Sequence, residues 1–494
     1  MIAVEVHPAT LAVTRVAGAM VPPGIPDKNR PGLRDTSLRT PWREKRQMTQ
    51  QDQIDGEPSS VGSPTPSPMN KVAFASFIGT AIEFYDFYIY GTAAALIFPH
   101  VFFPNMGSTM ATISSLGTFA VAFLSRPIGA AVFGHFGDRL GRKKTLVATL
   151  LIMGLSTVCV GLVPSAASIG IAAPIILLTL RLLQGFAVGG EWAGSALLSA
   201  EYAPAGKRGT YGMFTQLGAG AGLAVSNLVV FIVSVTVGEK SAVFLDWGWR
   251  LPFLFSAVLL IVALYVRLSI DETPVFAREQ VTGGVPRAPF TELFRTQSKQ
   301  VALAAGCMVG IFTMSFLGGT YLMSYASTRI GHPRSLILGV GVLAGVALMA
   351  FSALSAVLCD RFGRRRIILT GFALALPWAF VVMPLIDSGS PVGFAVAIAG
   401  IFCIFGLSYG PIGSFLPEIF ATRYRYTGAG MAFNLAGIVG GAIPPLVAGA
   451  LVASLGSWAV GLMIAFFVVV SIVCTALLPE TKGAALERDA AVAG

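Results

Sequence analysis

Apolar runs separated by short stretches rich in Arg, Asp, Gly and Pro recur from residue 72 to residue 478. A helix rises 1.5 Å per residue, so roughly 20 residues are needed to cross roughly 30 Å of hydrocarbon. Twelve runs qualify: 72–98, 111–134, 145–163, 172–200, 210–237, 251–269, 300–328, 336–359, 367–386, 391–415, 428–453 and 458–478. The pattern predicts an all-α integral membrane protein with twelve transmembrane helices. Composition agrees: 54% of residues are hydrophobic, 12% are charged, and the mean hydropathy is +0.74, all far from a soluble domain.

Cations sort by loop. Arg139, Arg142, Lys143 and Lys144 follow the second span, Lys207 and Arg208 the fourth, Arg361, Arg364, Arg365 and Arg366 the eighth, and Arg423 and Arg425 the tenth. The other side carries only Lys240, Arg250, Arg329 and Arg334. The positive-inside rule then predicts a cytoplasmic Arg-rich face, with both termini and the central loop on the same side. The net charge of +10 is thereby read as topology, not as nucleic-acid binding.

The domain reading is a cytoplasmic tail at 1–70, a six-helix half at 71–270, a central loop at 271–299, a second half at 300–478 and a tail at 479–494. The first tail is rich in Pro, Arg, Ser and Asp, has no apolar periodicity and is expected to be disordered. No signal-peptide apolar region precedes the first span. Met48 opens a tail of ordinary length, so 1–47 is a candidate misassigned upstream translation. Cys159, Cys307, Cys359, Cys403 and Cys474 form no CxxC or Cys/His cluster, so neither a disulfide framework, a metal site nor a cofactor is expected.

Three landmarks repeat in order. GHFGDRLGRKK from Gly134 is matched by AVLCDRFGRRR from Ala356, with Asp138 and Arg139 answering Asp360 and Arg361. Glu201 with Arg208 is matched by Glu418 with Arg425, and Glu272–Thr273 by Glu480–Thr481. The chain is therefore read as two six-helix halves, an organisation that places a transporter's substrate between them. The duplicated loop motif resembles the signature of the major facilitator superfamily. IEFYDFYIYG, RLLQGFAVGGEW, WGWRLPF and DETPVF resemble, more narrowly, its metabolite:proton symporter branch, over about residues 70–483. The resemblance implies the major facilitator fold, a bacterial inner-membrane location, and proton-coupled uptake of an organic acid such as shikimate, 2-oxoglutarate or citrate, or of a zwitterionic osmolyte. It also implies a gating role for Gly134, Asp138, Arg139, Gly141 and Arg142, with Asp360, Arg361, Glu201, Arg208, Glu418 and Arg425 as the related positions. Ala356 stands where the first copy has Gly134, which argues against an equivalent latch in the second copy.

Ionisable groups inside spans are costly in lipid and mark function. They fall almost entirely in the first half: Glu83 and Asp86 in span 1, Arg126 in span 2, and Arg181 and Glu191 in span 4. At 1.5 Å per residue, Glu83, Asp86, Arg126 and Glu191 share a middle layer roughly 12 to 20 Å from the Arg-rich side. Spacing of three puts Glu83 and Asp86 on one helix face, which Tyr90 extends. Burial favours the neutral acid and a nearby arginine the anion, the opposition a proton carrier needs. Asp86 or Glu83 is the expected carrier, with Arg126 as the cation whose partnership changes and Glu191, in GGEW, as the competing carrier. Arg126 and Arg181 suit an anionic substrate, since a guanidinium grips a carboxylate with two donors. Gln184 offers a neutral hydrogen bond. The second half supplies Tyr321, Tyr325, Trp378, Tyr409 and Asn434 as neutral candidates.

Rival classes fare less well. His7, His100, His135 and His332 lie apart, so no catalytic or metal cluster suggests a membrane enzyme. A membrane sensor with a coiled-coil extension would need a longer tail than Pro479–Gly494. Proton-driven export stays open beside uptake, and the expected partners are a small metabolite, protons and the lipid bilayer, with the protein acting as a monomer.

Overall fold

Why each apolar run forms a helix follows from the solvent: in hydrocarbon every backbone N–H and C=O must be satisfied within the segment. A computed structural model describes residues 69–269, 289–421 and 424–483, except 141, 205, 239 and 240, all within the unit Pro66–Gly494. Most of the two tails and of the central loop, including 270–288 with DETPVF, lies outside the described residues.

Among the described residues, twelve helices are long and apolar enough to cross a membrane. We number them α1 (Met69–Leu96), α2 (Ser108–Leu140), α3 (Arg142–Leu162), α4 (Ala172–Tyr202), α5 (Arg208–Val237) and α6 (Leu251–Leu268). The second six are α7 (Ser298–Ile330), α8 (Arg334–Phe362), α9 (Arg364–Asp387), α10 (Pro391–Ile419), α11 (Arg425–Leu455) and α12 (Trp458–Leu477). The twelve expected spans correspond to these helices in order. Among the described residues no strand occurs.

Packing repeats with the sequence. In the first half α1 lies along α5, α2 along α4, and α3 along α4 and α6; in the second α7 lies along α11, α8 along α10, and α9 along α10 and α12. The halves meet where α5 packs on α8 and, at the equivalent position, α2 on α11, with α1 against α7 between them. Accordingly α1 and α7 are the most buried spans, while α6 and α9 turn more of their surface outward. Small residues bring backbones close where no hydrophobic force separates protein from lipid. A Cβ on Gly220 of α5 would fall on the carbonyl oxygen of Gly345 in α8, and one on Gly345 would fall on that of Gly220.

Regularity breaks mainly in the second half. Helix α7 contains π-helical turns at Leu317–Tyr321 and Ala326–Ile330, and α11 contains one at Gly437–Ala442. Helix α10 is interrupted between Tyr409 and Ile412, where Pro411 contributes no N–H.

Candidate functional site

Six charged side chains are buried in the first half among the described residues: Glu83 and Asp86 on α1, Arg126 on α2, Arg181 and Glu191 on α4, and Arg267 on α6. Three are acidic and three basic. Burial this deep demands partners for each, and the structure distributes them in three ways.

Asp86 is held by hydroxyls. Thr157 on α3 donates at 2.6 Å and Ser256 on α6 at 2.8 Å. Gln184 donates from Nε2 to Thr157 Oγ1 at 2.6 Å and accepts from Arg181 Nη1 at 3.1 Å. A chain Arg181–Gln184–Thr157–Asp86 thus links a cation to a carboxylate through neutral groups. Arg181, Gln184 and Asp86 were legible in the sequence; Thr157 and Ser256 were not, because single hydroxyls in apolar helices ordinarily bond their own backbone.

The arginines instead use aromatic faces. Arg181 lies 3.9 Å from the ring centre of Tyr90, 4.4 Å from Phe87 and 5.2 Å from Phe119. Arg126 lies 4.2 Å from Phe87 and 4.7 Å from Phe123. Both guanidinium groups therefore ride on Phe87, a residue the sequence did not single out. Desolvated pairs of this kind contribute about 2 kcal/mol each. Nε of Arg126 and Nε and Nη2 of Arg181 have no hydrogen-bond partner, nor has Oε2 of Glu83. Arg126 forms no ion pair with Glu83 or Asp86 within 4 Å, so the expected partnership is not made in this arrangement. Phe316 of α7 closes the centre from the other half, its ring 5.1 to 5.8 Å from those of Phe87, Phe119 and Phe123.

Glu191 has the direct ion pair. Arg267 Nη2 lies 2.8 Å from Oε1 and also donates to Ser195 Oγ at 2.8 Å, while Thr149 donates to Oε2 at 3.0 Å. Arg267 does not stand out in the sequence because it sits two residues inside the expected end of its span, where a cation ordinarily snorkels to the interface. Helix α4 reaches Arg126 closely because Gly185 and Gly189 meet α2: a Cβ at either would strike the carbonyl oxygen of Ala122 or Arg126.

The second-half candidates scatter. Asn434 donates from Nδ2 to the carbonyl oxygen of Gly189 at 2.9 Å, across the two halves. Tyr321 and Tyr325 lie away from the charges; Tyr325 donates to Asp387 at the opposite end of α9, at 2.8 Å. Tyr90 donates to Thr118 at 2.7 Å, Trp378 packs α9 on α10, and Tyr409 accepts at its carbonyl oxygen from Gln216 at 2.9 Å.

At the Arg-rich face, the side chains of Asp138, Arg139 and Arg142 and the whole of Gly141 lie outside the described residues. Gly134 is buried against Thr427 and Tyr426 of α11. The second copy is engaged despite Ala356: Asp360 accepts from Gly209 N at 2.9 Å, and from Thr210 N and Oγ1 at 2.8 Å each, so its carboxylate caps α5. An anion there faces the positive end of the helix dipole. The glycine missing from the motif is not needed, since Gly209 on the partner helix provides the room against Ala356 and Asp360. Arg364 bridges Asp360 at 3.0 Å and Glu418 at 3.3 Å, and Arg208 reaches Glu418 at 4.0 Å. Thr481 donates to Glu418, and Glu480 caps α9 through Arg364 N and Arg365 N. Arg425 donates to the carbonyl oxygen of Pro417 at 3.0 Å, Arg361 is exposed, and Glu201 is half-buried at the end of α4.

Comparisons agree with this architecture. The family model described as Major Facilitator Superfamily matches residues 76–444. An inner membrane metabolite transport protein, YhjE, of Escherichia coli K12 is 43% identical over 84% of the chain and 94% of its own length. The shikimate transporter of the same strain is 39% identical (79% and 90% covered), and its proline/betaine transporter 35% identical (77% and 77%). Among solved structures, the proton:xylose symporter XylE aligns with a TM-score of 0.67 at 20% identity, covering 85% of this chain and 98% of that one. The chain belongs to the Major Facilitator Superfamily and, within it, to the metabolite:proton symporter family, and is a multi-pass membrane transporter of metabolites.

Proposed function

We propose that the protein takes up a small organic acid together with protons, by alternating access between its two halves. The observation that carries this reading is the balance of the buried cluster, three carboxylates against three guanidinium groups. An anion added to a neutral, desolvated cluster leaves an uncompensated charge, and a proton accepted by one carboxylate cancels it. The substrate carboxylate would meet the free donors of Arg126 and Arg181 beside Phe87. Glu83, with an oxygen already unpartnered, is the first choice of carrier, and Asp86, tied to Arg181 through Gln184, would respond to the same substrate. Gln184 and Tyr90 would line the site.

In this reading the arrangement is closed at the Arg-rich face, which is the cytoplasmic one, with both termini on that side of a bacterial inner membrane. The Asp360, Arg364 and Glu418 contacts, with Arg208, form the latch, and one chain suffices. A zwitterionic osmolyte is the second reading, favoured by the buried chain that joins the carboxylate of Asp86 to the cation of Arg181 through Thr157 and Gln184, and by the relative named for proline and betaine. Its carboxylate would take an arginine and its cationic end Asp86. Purified protein in weakly buffered liposomes separates the two: shikimate, 2-oxoglutarate, citrate, proline and betaine are added singly while external pH is recorded. Alkalinisation with an organic acid supports the proposal; a response to betaine alone replaces it with the second reading.

A further inference from the structure

Residues 189–192, GGEW, face two ways. Toward the second half, the carbonyl oxygen of Gly189 accepts from Asn434, that of Gly190 accepts from Tyr426 Oη at 2.5 Å, and Trp192 stacks on Phe433 with ring centres 4.1 Å apart and planes 9° apart. Trp192 Nε1 also donates to Gln216, whose Nε2 reaches the Tyr409 carbonyl oxygen. Toward the first half, Glu191 holds Arg267. Four consecutive residues therefore join the contacts between halves to a buried ion pair.

That pair lies against α1. A Cβ built on Gly79 would fall on Arg267 Nη2 and close to Glu191 Oε1, so the pair occupies the notch that glycine leaves. Gly79 is one helical turn before Glu83, and residues four apart share a face with Cβ positions roughly 5 to 6 Å apart. Arg267 already acts electrostatically on Glu83, and turning its side chain along the shared face would move it from Glu191 toward Glu83. Both ends of the alternative pairing are open: Arg267 Nε and Nη1, and Glu83 Oε2, have no hydrogen-bond partner. The charged or titratable groups that act on Glu83 from neighbouring helices are Arg126 on α2, Glu191 on α4, Arg267 on α6 and Tyr409 on α10.

We propose that Arg267 is a positioning residue shared between Glu191 and Glu83, and that its hand-over couples the charge on Glu83 to the inter-half contacts of residues 189–192. With Glu83 protonated, Arg267 rests on Glu191 and the GGEW segment holds Tyr426, Asn434 and Phe433. Once bound substrate has opened the Arg-rich face and Glu83 releases its proton there, the new carboxylate draws Arg267 away. Glu191 then loses its counter-ion, and α4 loses the contact to α6 that fixes the segment. This rests on the proton-coupled reading above.

The test reads conformation without substrate, so its failure is distinguishable from failure of proton-coupled transport. Spin labels at Lys144→Cys and Arg366→Cys, exposed positions on α3 and α9 at the Arg-rich face, report the distance between halves in full-length protein in nanodiscs. Glu83→Gln mimics the protonated acid and is expected to raise the ratio of closed to open forms at least 10-fold at alkaline pH. In the charge-balanced Glu191→Gln/Arg267→Gln background, the same substitution is expected to change that ratio less than 2-fold. Gly79→Ala keeps every charge, fills the notch, and is expected to blunt the response likewise, which covers failure of the double variant to fold. An equal response to Glu83→Gln with and without Arg267, or none in the parent, overturns the proposal.

Discussion

Replacing Asp360 by Asn alters the contact across the halves while preserving its shape. The carboxylate accepts three hydrogen bonds from the start of α5 at 2.8 to 2.9 Å and pairs with Arg364 at 3.0 Å. In Asn, one oxygen still accepts from Gly209 N, but the amide nitrogen opposes Thr210 N–H, so one charge-assisted bond, worth about 1.5 to 3 kcal/mol, becomes a clash of donors. Losing the negative charge at a helix N-terminus removes about 0.5 to 1 kcal/mol more. The Asp360 and Arg364 side chains are only 12% and 3% exposed, so water compensates little until the halves separate. About 3 kcal/mol of closure is thus removed, a shift of about 100-fold toward the form open at this face. Labels at Lys144→Cys and Arg366→Cys measure it as a change in the distance distribution. A folded Asp360→Asn protein with a shift below about 3-fold refutes the assignment of Asp360 as a closure contact.

Three further outcomes are expected. Arg181→Lys keeps the charge but loses the planar fork over Tyr90 and the bond to Gln184, raising the KM for an organic acid about 10-fold in uptake assays, with folding unchanged. Thr157→Val breaks the link between Gln184 and Asp86 and strands two buried groups, lowering proton-coupled uptake about 10-fold or more, while Thr157→Ser restores it. Gly189→Ala pushes a methyl group onto the Arg126 carbonyl oxygen and destabilises the α2–α4 crossing by about 1 to 3 kcal/mol, seen as a lower Tm in detergent. Gly339→Ala, which meets open space, is the control and leaves Tm unchanged.

The twelve spans and their duplication were readable because a membrane imposes one rule, internal satisfaction of the backbone, on every segment that crosses it. Glu83, Asp86, Arg126, Arg181 and Glu191 were readable for a related reason: a charge in an apolar run stands out. Arg267 carries as much of the site but hides at a helix end, where cations are ordinary. Thr157 and Ser256 hide as common small residues, and their role depends on which helix faces Asp86, a tertiary fact. Phe87 lay inside the quoted IEFYDFYIYG stretch, yet nothing in one dimension shows that two arginines from α2 and α4 meet on its ring. Asn434 stands out in the sequence as an amide deep in an apolar span, whereas its bond to Gly189 makes it a contact between halves. The pairing of Asp360 with α5 needed the partner helix to be seen, since the motif's own glycine pattern argued against it.

The balanced charge cluster is tested most directly by counting protons and organic acid together in proteoliposomes clamped at zero membrane potential. At least one proton is expected to enter with each acid anion, and Glu83→Gln or Asp86→Asn is expected to uncouple or abolish this movement. Full-rate uptake of the anion with no accompanying proton in the unaltered protein would contradict it.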